Sequence, residues 1–350
     1  MDAEKTSITM QKLLSIIIPT YNMEELLDQC LTSLVLDTKE QREKLDVVVV
    51  NDGSKDRSSE IAHQYAERYP EMFAVIDKEN GNYGSCINVS LPLVKGKYVR
   101  ILDADDSYVK EELPAYLDML EEQNADMVLT DYETVNAQGE RTAVEKCPFK
   151  GHETFILGDI PEDYFIPMHA VAYRSDIFKR IDYYQTEGVS YTDAEWVFKP
   201  LSEVRMGFYY NRIVYRYLVG RKGQTVDSHV ILKSLPHVEK GLWNMLKAYG
   251  DVSDDNEAKG YMHRTLLRRL KRLYLWGMDK NADFNLYRFD RRLKSEYPII
   301  YRDAAKITIP VGMLWMQMPI VKMWRKVRSR KGLYLFPLYD LYVLSNKISK

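Results

Sequence analysis

The sequence predicts an α/β fold: a parallel sheet flanked by helices, then a mainly helical region after about residue 225. Two observations carry this. Short, unbroken apolar runs alternate with segments of helical periodicity through the first part of the chain, which is the pattern of strands buried on both faces. Near residues 225–235 that alternation gives way to longer helical periodicity rich in Arg and Lys.

The elements follow in order. Residues 13–18 (LLSIII) form an apolar run stopped by Pro19, a buried strand, and Leu26, Leu27, Cys30, Leu31 and Leu34 are spaced for a helix over 24–36. Residues 46–50 (DVVVV) are a second strand, ending in the turn cluster Asn51-Asp52-Gly53-Ser54. A helix over 58–69, a strand over 72–76, a helix over 85–94 and a strand over 98–102 follow, the last running into Asp103. Residues 111–123 are helical and 127–132 strand-like, and past the boundary 238–249 and 257–277 have helical periodicity. The organisation expected is a tail (1–12), an α/β domain (13–225, with halves 13–110 and 111–225) and a helical basic region (226–350).

Composition narrows the function. With 45% hydrophobic and 29% charged residues among 350, a sizeable core is available. The net charge of −2 hides an asymmetry: residues 1–260 carry 29 basic and 45 acidic side chains, residues 261–350 carry 20 and 6. Cys30, Cys86 and Cys147 are too scattered for a disulfide framework or a zinc ribbon and read as buried thiols. The opening MDAEKTSITMQK has no apolar signal core, and no apolar run approaches the ~20 residues of a spanning helix. A cytoplasmic chain is expected. The sequence contains neither GxGxxG nor GxxxxGK[ST], which argues against dehydrogenase and P-loop kinase readings.

In open parallel sheets ligands bind outside the carboxyl ends of the strands. Three strands end there in polar residues: Pro19-Thr20-Tyr21-Asn22, Asn51-Asp52-Gly53-Ser54 and Asp103-Ala104-Asp105-Asp106. Three carboxylates in four residues repel one another unless a cation or donors offset them, and such a set suits Mg²⁺ or Mn²⁺ holding phosphate oxygens. An acidic turn capping a helix is the plain alternative.

Taken together, SIIIPTYN, VVNDGS, NGNYGSCIN and DADD resemble, in order and spacing across about 13–110, the nucleotide-sugar half of a family-2 glycosyltransferase with the GT-A fold; weaker similarity continues to about 225. The resemblance implies a Rossmann-like, mostly parallel sheet and a set of roles. Pro19, Thr20, Tyr21 and Asn22 would line the nucleotide pocket, and Asp52 would accept a hydrogen bond from the base, favouring uracil or thymine. Gly81, Gly84 and Asn88 would pass close to the nucleotide. Asp103, with Ala104 beside it, would contact the ribose, Asp105 would coordinate Mn²⁺ or Mg²⁺ on the diphosphate, and Asp106 would support either. Family members carry the base that deprotonates the acceptor as the Asp of a Glu-Asp pair. In Tyr191-Thr192-Asp193-Ala194-Glu195-Trp196 a Thr precedes that Asp, so Asp193 is the implied base and Glu195 the runner-up. Arg221, Lys222, Gln224 and Thr225 resemble a loop closing over the donor, an exposed basic turn being the alternative. His169 falls where members build the acceptor site, although a lone His is more often structural.

The expected activity is metal-dependent, inverting transfer from a UDP-sugar, or less readily a dTDP-sugar, to a glycan or lipid-linked hydroxyl in polysaccharide synthesis. A non-catalytic partner subunit is one alternative. The other, a sugar-phosphate nucleotidyltransferase, would need an Arg- and Lys-bearing Gly-rich loop where Pro19-Thr20-Tyr21-Asn22 stands. In the tail, residues 307–331 combine Trp315 and Trp324 with Lys322, Arg325, Lys326, Arg328, Arg330 and Lys331, broken by Pro310 and Pro319. This suits short interfacial pieces on an anionic membrane surface at the inner face of the cell membrane, with a packed helical subdomain as the alternative. No nucleic-acid reading motif accompanies these charges.

Overall fold

The computed structural model describes residues 12–221, 228–279, 282–311 and 316–327. The chain divides into two compact units, Met1–Lys222 and Gly223–Lys350.

The first unit is built on one sheet. Its strands are β1 (Leu14–Thr20), β2 (Leu45–Asn51), β3 (Phe73–Asp77), β4 (Tyr98–Ile101), β5 (Ser107–Tyr108), β6 (Met127–Val135), β7 (Arg141–Glu145), β8 (Glu153–Phe155), β9 (Val171–Arg174) and β10 (Gly207–Leu218). They run in the order β3-β2-β1-β4-β9-β6-β10-β5, with β7 on β6 and β8 on β10. The β3-β2-β1-β4 block is parallel, and so is the long β6–β10 ladder; β9 enters antiparallel between β4 and β6. Strand β2 is buried along its whole length and β1 at all but Pro19, which is why both read as unbroken apolar runs.

The helices of this unit are α1 (Leu27–Thr32), α2 (Lys39–Glu43), α3 (Ser58–Arg68), α4 (Asn82–Ser90), α5 (Leu113–Glu122), α6 (Asp176–Arg180) and α7 (Asp193–Phe198). Leu27, Cys30 and Leu31 of α1 and Leu113, Tyr116, Leu117 and Leu120 of α5 pack against Ile16, Ile18, Val47 and Val49 in the main core. All three cysteines are buried and free. The mostly parallel sheet flanked by helices is as expected, and the structure adds strands beyond residue 132, the last position at which the sequence places one. Strand β9 is only four residues long, and β10 loses its period-two pattern at register shifts between Tyr210 and Ile213 and between Ile213 and Tyr215.

The second unit is mainly helical: α8 (Ser228–Lys233), α9 (Leu235–Asp251), α10 (Ala258–Gly277), α11 (Leu286–Glu296), α12 (Pro298–Ala304) and α13 (Ile320–Val327), with a two-stranded ribbon of β11 (Ile309–Val311) and β12 (Met316–Met318) before α13. Leu266, Leu270, Leu273 and Tyr274 of α10 are buried, as are Phe289 and Leu293 of α11. Arg325 of α13 is drawn inward: its Nε donates to the fully buried Asp290 at 2.7 Å, and its guanidinium stacks 3.6 Å from the Tyr301 ring. Lys322 and Lys326 of the same helix are exposed, and Trp315, Arg328, Arg330 and Lys331 lie outside the described residues. Among the described residues no helix is long and apolar enough to cross a membrane.

Candidate active site

Parallel pairing brings the carboxyl ends of β1, β2 and β4 to one edge of the sheet, and the polar turns gather there. After β4 the chain folds back, with the Asp106 amide donating to the Asp103 carbonyl at 2.9 Å. Strand β5 then pairs with β10 at Tyr215, which brings a tyrosine more than a hundred residues away against the acidic turn. The Tyr215 hydroxyl donates to Asp106 Oδ2 at 2.6 Å, and the Leu218 amide to Asp106 Oδ1 at 2.8 Å. Tyr83, from α4, donates to Asp103 Oδ1 at 3.0 Å. Asp105 faces a cation, with Arg221 Nε and Nη2 each 2.9 Å from its Oδ2.

Crowding these carboxylates has an electrostatic cost. Burial, with the Asp105 charge beside it, pushes the Asp103 carboxyl up to about 7. Asp106 is pushed up as well, by burial first and then by Asp103 and Asp105. Asp193 belongs to the same field: its charge acts on Asp103 and on the Tyr83 and Tyr217 hydroxyls. Hard oxygen donors that repel one another at the mouth of a parallel sheet fit a divalent cation, and Asp103, Asp106 and His169 each offer an atom within 4.8 Å of the others. His169 Nε2 stands 4.0 Å from Asp106 Oδ2, its ring stacked on Tyr217 with centroids 4.2 Å apart. Burial and the Arg100 charge hold this imidazole down to about 3, so it is neutral. Arg100 is itself fully buried between the rings of Tyr108 and Tyr215 and binds the His169 carbonyl.

The remaining expected residues sort into several places. Thr20 and Ala104 are buried, and Tyr21, which follows Thr20, is 46% exposed. Asn22 adopts φ 52° and closes the β1 turn onto the β2 turn, accepting from the Lys55 amide at 2.8 Å. Asp52 Oδ1 accepts from Lys78 Nζ at 2.7 Å and from the Gly81 amide at 2.9 Å. Asp193 opens α7, while Glu195, two residues on, points inward: fully buried, paired with Lys199, and accepting from the Thr186 amide at 3.3 Å. Gly84 and Asn88 pack against the 183–188 loop. A Cβ on Gly84 would lie 2.0 Å from the Thr186 carbonyl oxygen, and Asn88 Nδ2 donates to the Gln185 carbonyl at 2.8 Å. Lys222, Gln224 and Thr225 lie outside the described residues. Tyr83, Arg100, Tyr215 and Tyr217 are unforeseen. Only Tyr83 had a signal, inside NGNYGSCIN; the others come from strands with no motif.

Residues 15–182 match the model of Glycosyl transferase family 2. This segment is a family-2 glycosyltransferase domain. Its relatives include the poly(ribitol-phosphate) beta-glucosyltransferase of Bacillus spizizenii, 34% identical over 139 residues, which are 39% of this chain and 21% of that protein. The minor teichoic acid biosynthesis protein GgaB of Bacillus subtilis is 29% identical over 169 residues, 48% of this chain and 19% of that protein. The chain therefore spans about a fifth of the length of these two relatives. Among solved structures, S. aureus TarS 1-349 in complex with UDP-GlcNAc is similar with a TM-score of 0.57 at 22% identity, over 84% of this chain and 79% of that one. That likeness is one of fold, and the family-2 domain shares its α/β architecture.

Proposed function

We propose that this chain is a metal-dependent, inverting glycosyltransferase that moves a sugar from a UDP-sugar to a hydroxyl of a glycan or lipid-linked acceptor in bacterial polysaccharide synthesis. One observation carries the reading: Asp103, Asp105, Asp106 and Asp193 share one electrostatic field at the carboxyl edge of the parallel sheet, with Arg221 as the cation paired there. With a divalent cation among these carboxylates, that charge pattern would suit a nucleoside diphosphate leaving group beside a proton acceptor. The relatives named for poly(ribitol-phosphate) glucosylation and teichoic acid biosynthesis support a polyol-phosphate or related polymer as acceptor.

In this reading Asp103 and Asp105, with Asp106 beside them, would hold Mn²⁺ or Mg²⁺, which would supply Lewis-acid neutralisation of the diphosphate charge. The other steps fall to side chains. Asp52, steadied at Oδ1 by Lys78 and Gly81, gives Oδ2 to the ring N–H of uracil. Arg221 exchanges Asp105 for diphosphate oxygens as the donor enters. Asp193 takes the proton of the acceptor hydroxyl as it attacks from the face opposite the nucleotide, inverting the anomeric carbon. Glu195 is committed to Lys199 and the Thr186 amide, so we assign it to structure. His169, neutral and backed by Tyr217, is assigned to the acceptor side. The exposed Lys322 and Lys326 within 307–331 are assigned to an anionic membrane surface, giving a peripheral enzyme at the cytoplasmic face.

Thermal unfolding with a nucleotide panel, with and without Mn²⁺, tests the reading. UDP with Mn²⁺ is expected to stabilise the protein, by about 2.7 kcal/mol at roughly a hundredfold excess over Kd, and Asp105→Ala is expected to abolish the shift. Selective stabilisation by dTDP would redirect the donor to deoxysugars. No shift with any nucleotide at millimolar concentration would overturn the catalytic reading.

A further inference from the structure

The loop that precedes Asp193 is held in an unusual way. Helix α4 grips it at both ends: the Gly188 amide donates to the Gly81 carbonyl at 3.0 Å, and Asn88 pairs with the Gln185 backbone through two hydrogen bonds of 2.8 Å, one in each direction. Between these points the loop lies so close to Gly84 that no side chain fits there. The Gln185 side chain then turns inward and is completely buried. Its Oε1 accepts from the Tyr183 hydroxyl at 2.7 Å, and its Nε2 donates to both the carbonyl (3.0 Å) and the hydroxyl (3.1 Å) of Thr192. Thr192 is the residue immediately before Asp193, and Tyr191 before it is held at φ 65°, a conformation that persists only where its surroundings fix it.

We infer that Gln185, seated by Asn88 and Gly84 of α4, is a positioning residue for Asp193: its buried amide clamps Thr192 and so fixes where the carboxylate at the head of α7 stands. The inference rests on the reading of Asp193 as the base. A buried amide with all these bonds made is expensive to displace, since each lost partner leaves a polar group without water. The clamp therefore resists small shifts of the α7 start, where a displacement of about 1 Å is enough to cost about 10²-fold in rate. The arrangement also gives Thr192 a use. Its hydroxyl is an acceptor for the clamp where the resembling family carries a Glu. Tyr83, on the same helix α4, donates to Asp103, so one helix sets both the acidic turn and the base loop.

The test compares wild type, Asp193→Asn, Gln185→Leu, Gly84→Ala and Asn88→Asp in the full chain. UDP release from UDP-sugars measures turnover, and the UDP-plus-Mn²⁺ thermal shift measures donor binding. Asp193→Asn is expected to abolish turnover with the thermal shift intact. Gln185→Leu and Gly84→Ala are expected to lower kcat by about 10²-fold with donor KM within about twofold, and to move the acid limb of the pH–rate profile, which a purely scaffolding role would leave in place. Asn88→Asp keeps the acceptor for the Gln185 amide but sets a carboxylate against the Gln185 carbonyl and Glu187, so it reports on the clamp if Gln185→Leu does not fold. Hydrogen exchange of residues 190–198 reads placement without turnover, and Gly84→Ala is expected to quicken it locally. An inactive Asp193→Asn beside Gln185→Leu and Gly84→Ala of wild-type kcat would overturn the clamp alone. An active Asp193→Asn would overturn the base reading. Unchanged exchange over 190–198 in both Gly84→Ala and Asn88→Asp would overturn the clamp whatever the turnover.

Discussion

His169 shows how the fold spends stability on its site. An unfolded histidine accepts a proton near pH 6.5, whereas this one, buried beside Arg100, does so only near about 3. Below pH 6.5 the unfolded chain therefore binds more protons than the native one, and native stability is lost as pH falls from 6.5 towards 3. At about pH 5 this single group accounts for about 2 kcal/mol. His169→Gln is expected to flatten that slope, and urea denaturation of both proteins across pH 5–7.5 measures it. A slope equal to wild type would mean the ring is hydrated in solution. Asp103 acts in the opposite direction. Its raised carboxyl keeps a proton that the unfolded chain has released, so its contribution falls as pH rises from about 4 to about 7 and stays low above that. Asp103→Asn is therefore expected to gain stability relative to wild type at pH 8, while losing whatever donor binding the carboxylate supports. At this scale much of the acidic set was legible: Asp103, Asp105 and Asp106 occupy one turn after an apolar strand, and Asp193 sits in a short acidic motif. Arg100, Tyr215 and Tyr217 were not, because only strand pairing brings them to that turn, and no spacing along the chain encodes it.

At the scale of elements, β1 to β4 were legible because burial on both faces leaves unbroken apolar runs. β9 and β10 were not, being short in one case and bulged in the other. NGNYGSCIN also makes a packing contact that the sequence alone does not show. Gly84 and Asn88 pack against the 183–188 loop, a contact that joins residues about a hundred positions apart and leaves no local trace. The basic cluster near the end of the described chain divides in a similar way. Arg325 is a buried structural cation that binds Asp290, the Tyr301 carbonyl and the Tyr274 hydroxyl, tying α13 to α10, α11 and α12. Arg325→Ala removes the guanidinium that faces the buried Asp290 carboxylate, which keeps the Tyr274 hydroxyl as a donor, and is expected to cost ~3–5 kcal/mol. Adding Asp290→Asn is expected to recover part of that loss, because the buried charge that faced Arg325 disappears. Chemical denaturation of the two variants measures both steps, and an Arg325→Ala protein as stable as wild type would mean that α13 is dispensable to the second unit.

For the whole molecule the decisive property is charge. Residues 1–260 are acidic by 16 and residues 261–350 basic by 14, so the near-neutral total describes neither part. An acidic body is repelled by anionic lipid and a basic one attracted, each Lys or Arg near such a surface contributing about 1 kcal/mol within a Debye length of ~10 Å. Arg325 is turned inward, whereas Lys322 and Lys326 of α13 are exposed. The full chain is expected to cosediment with vesicles containing anionic phospholipid at low salt, to be released at high salt, and to ignore vesicles of phosphatidylcholine alone. Charge reversal at both sites, Lys322→Glu with Lys326→Glu, is expected to weaken sedimentation without altering the UDP-plus-Mn²⁺ thermal shift, since Asp52, Asp103, Asp105 and Arg221, to which donor binding is assigned, lie in the first unit. Salt-independent binding would point to apolar insertion instead. If anionic vesicles fail to bind at low salt, the basic charge of 261–350 serves another partner, and the polyanionic acceptor suggested by the relatives becomes the next ligand to try.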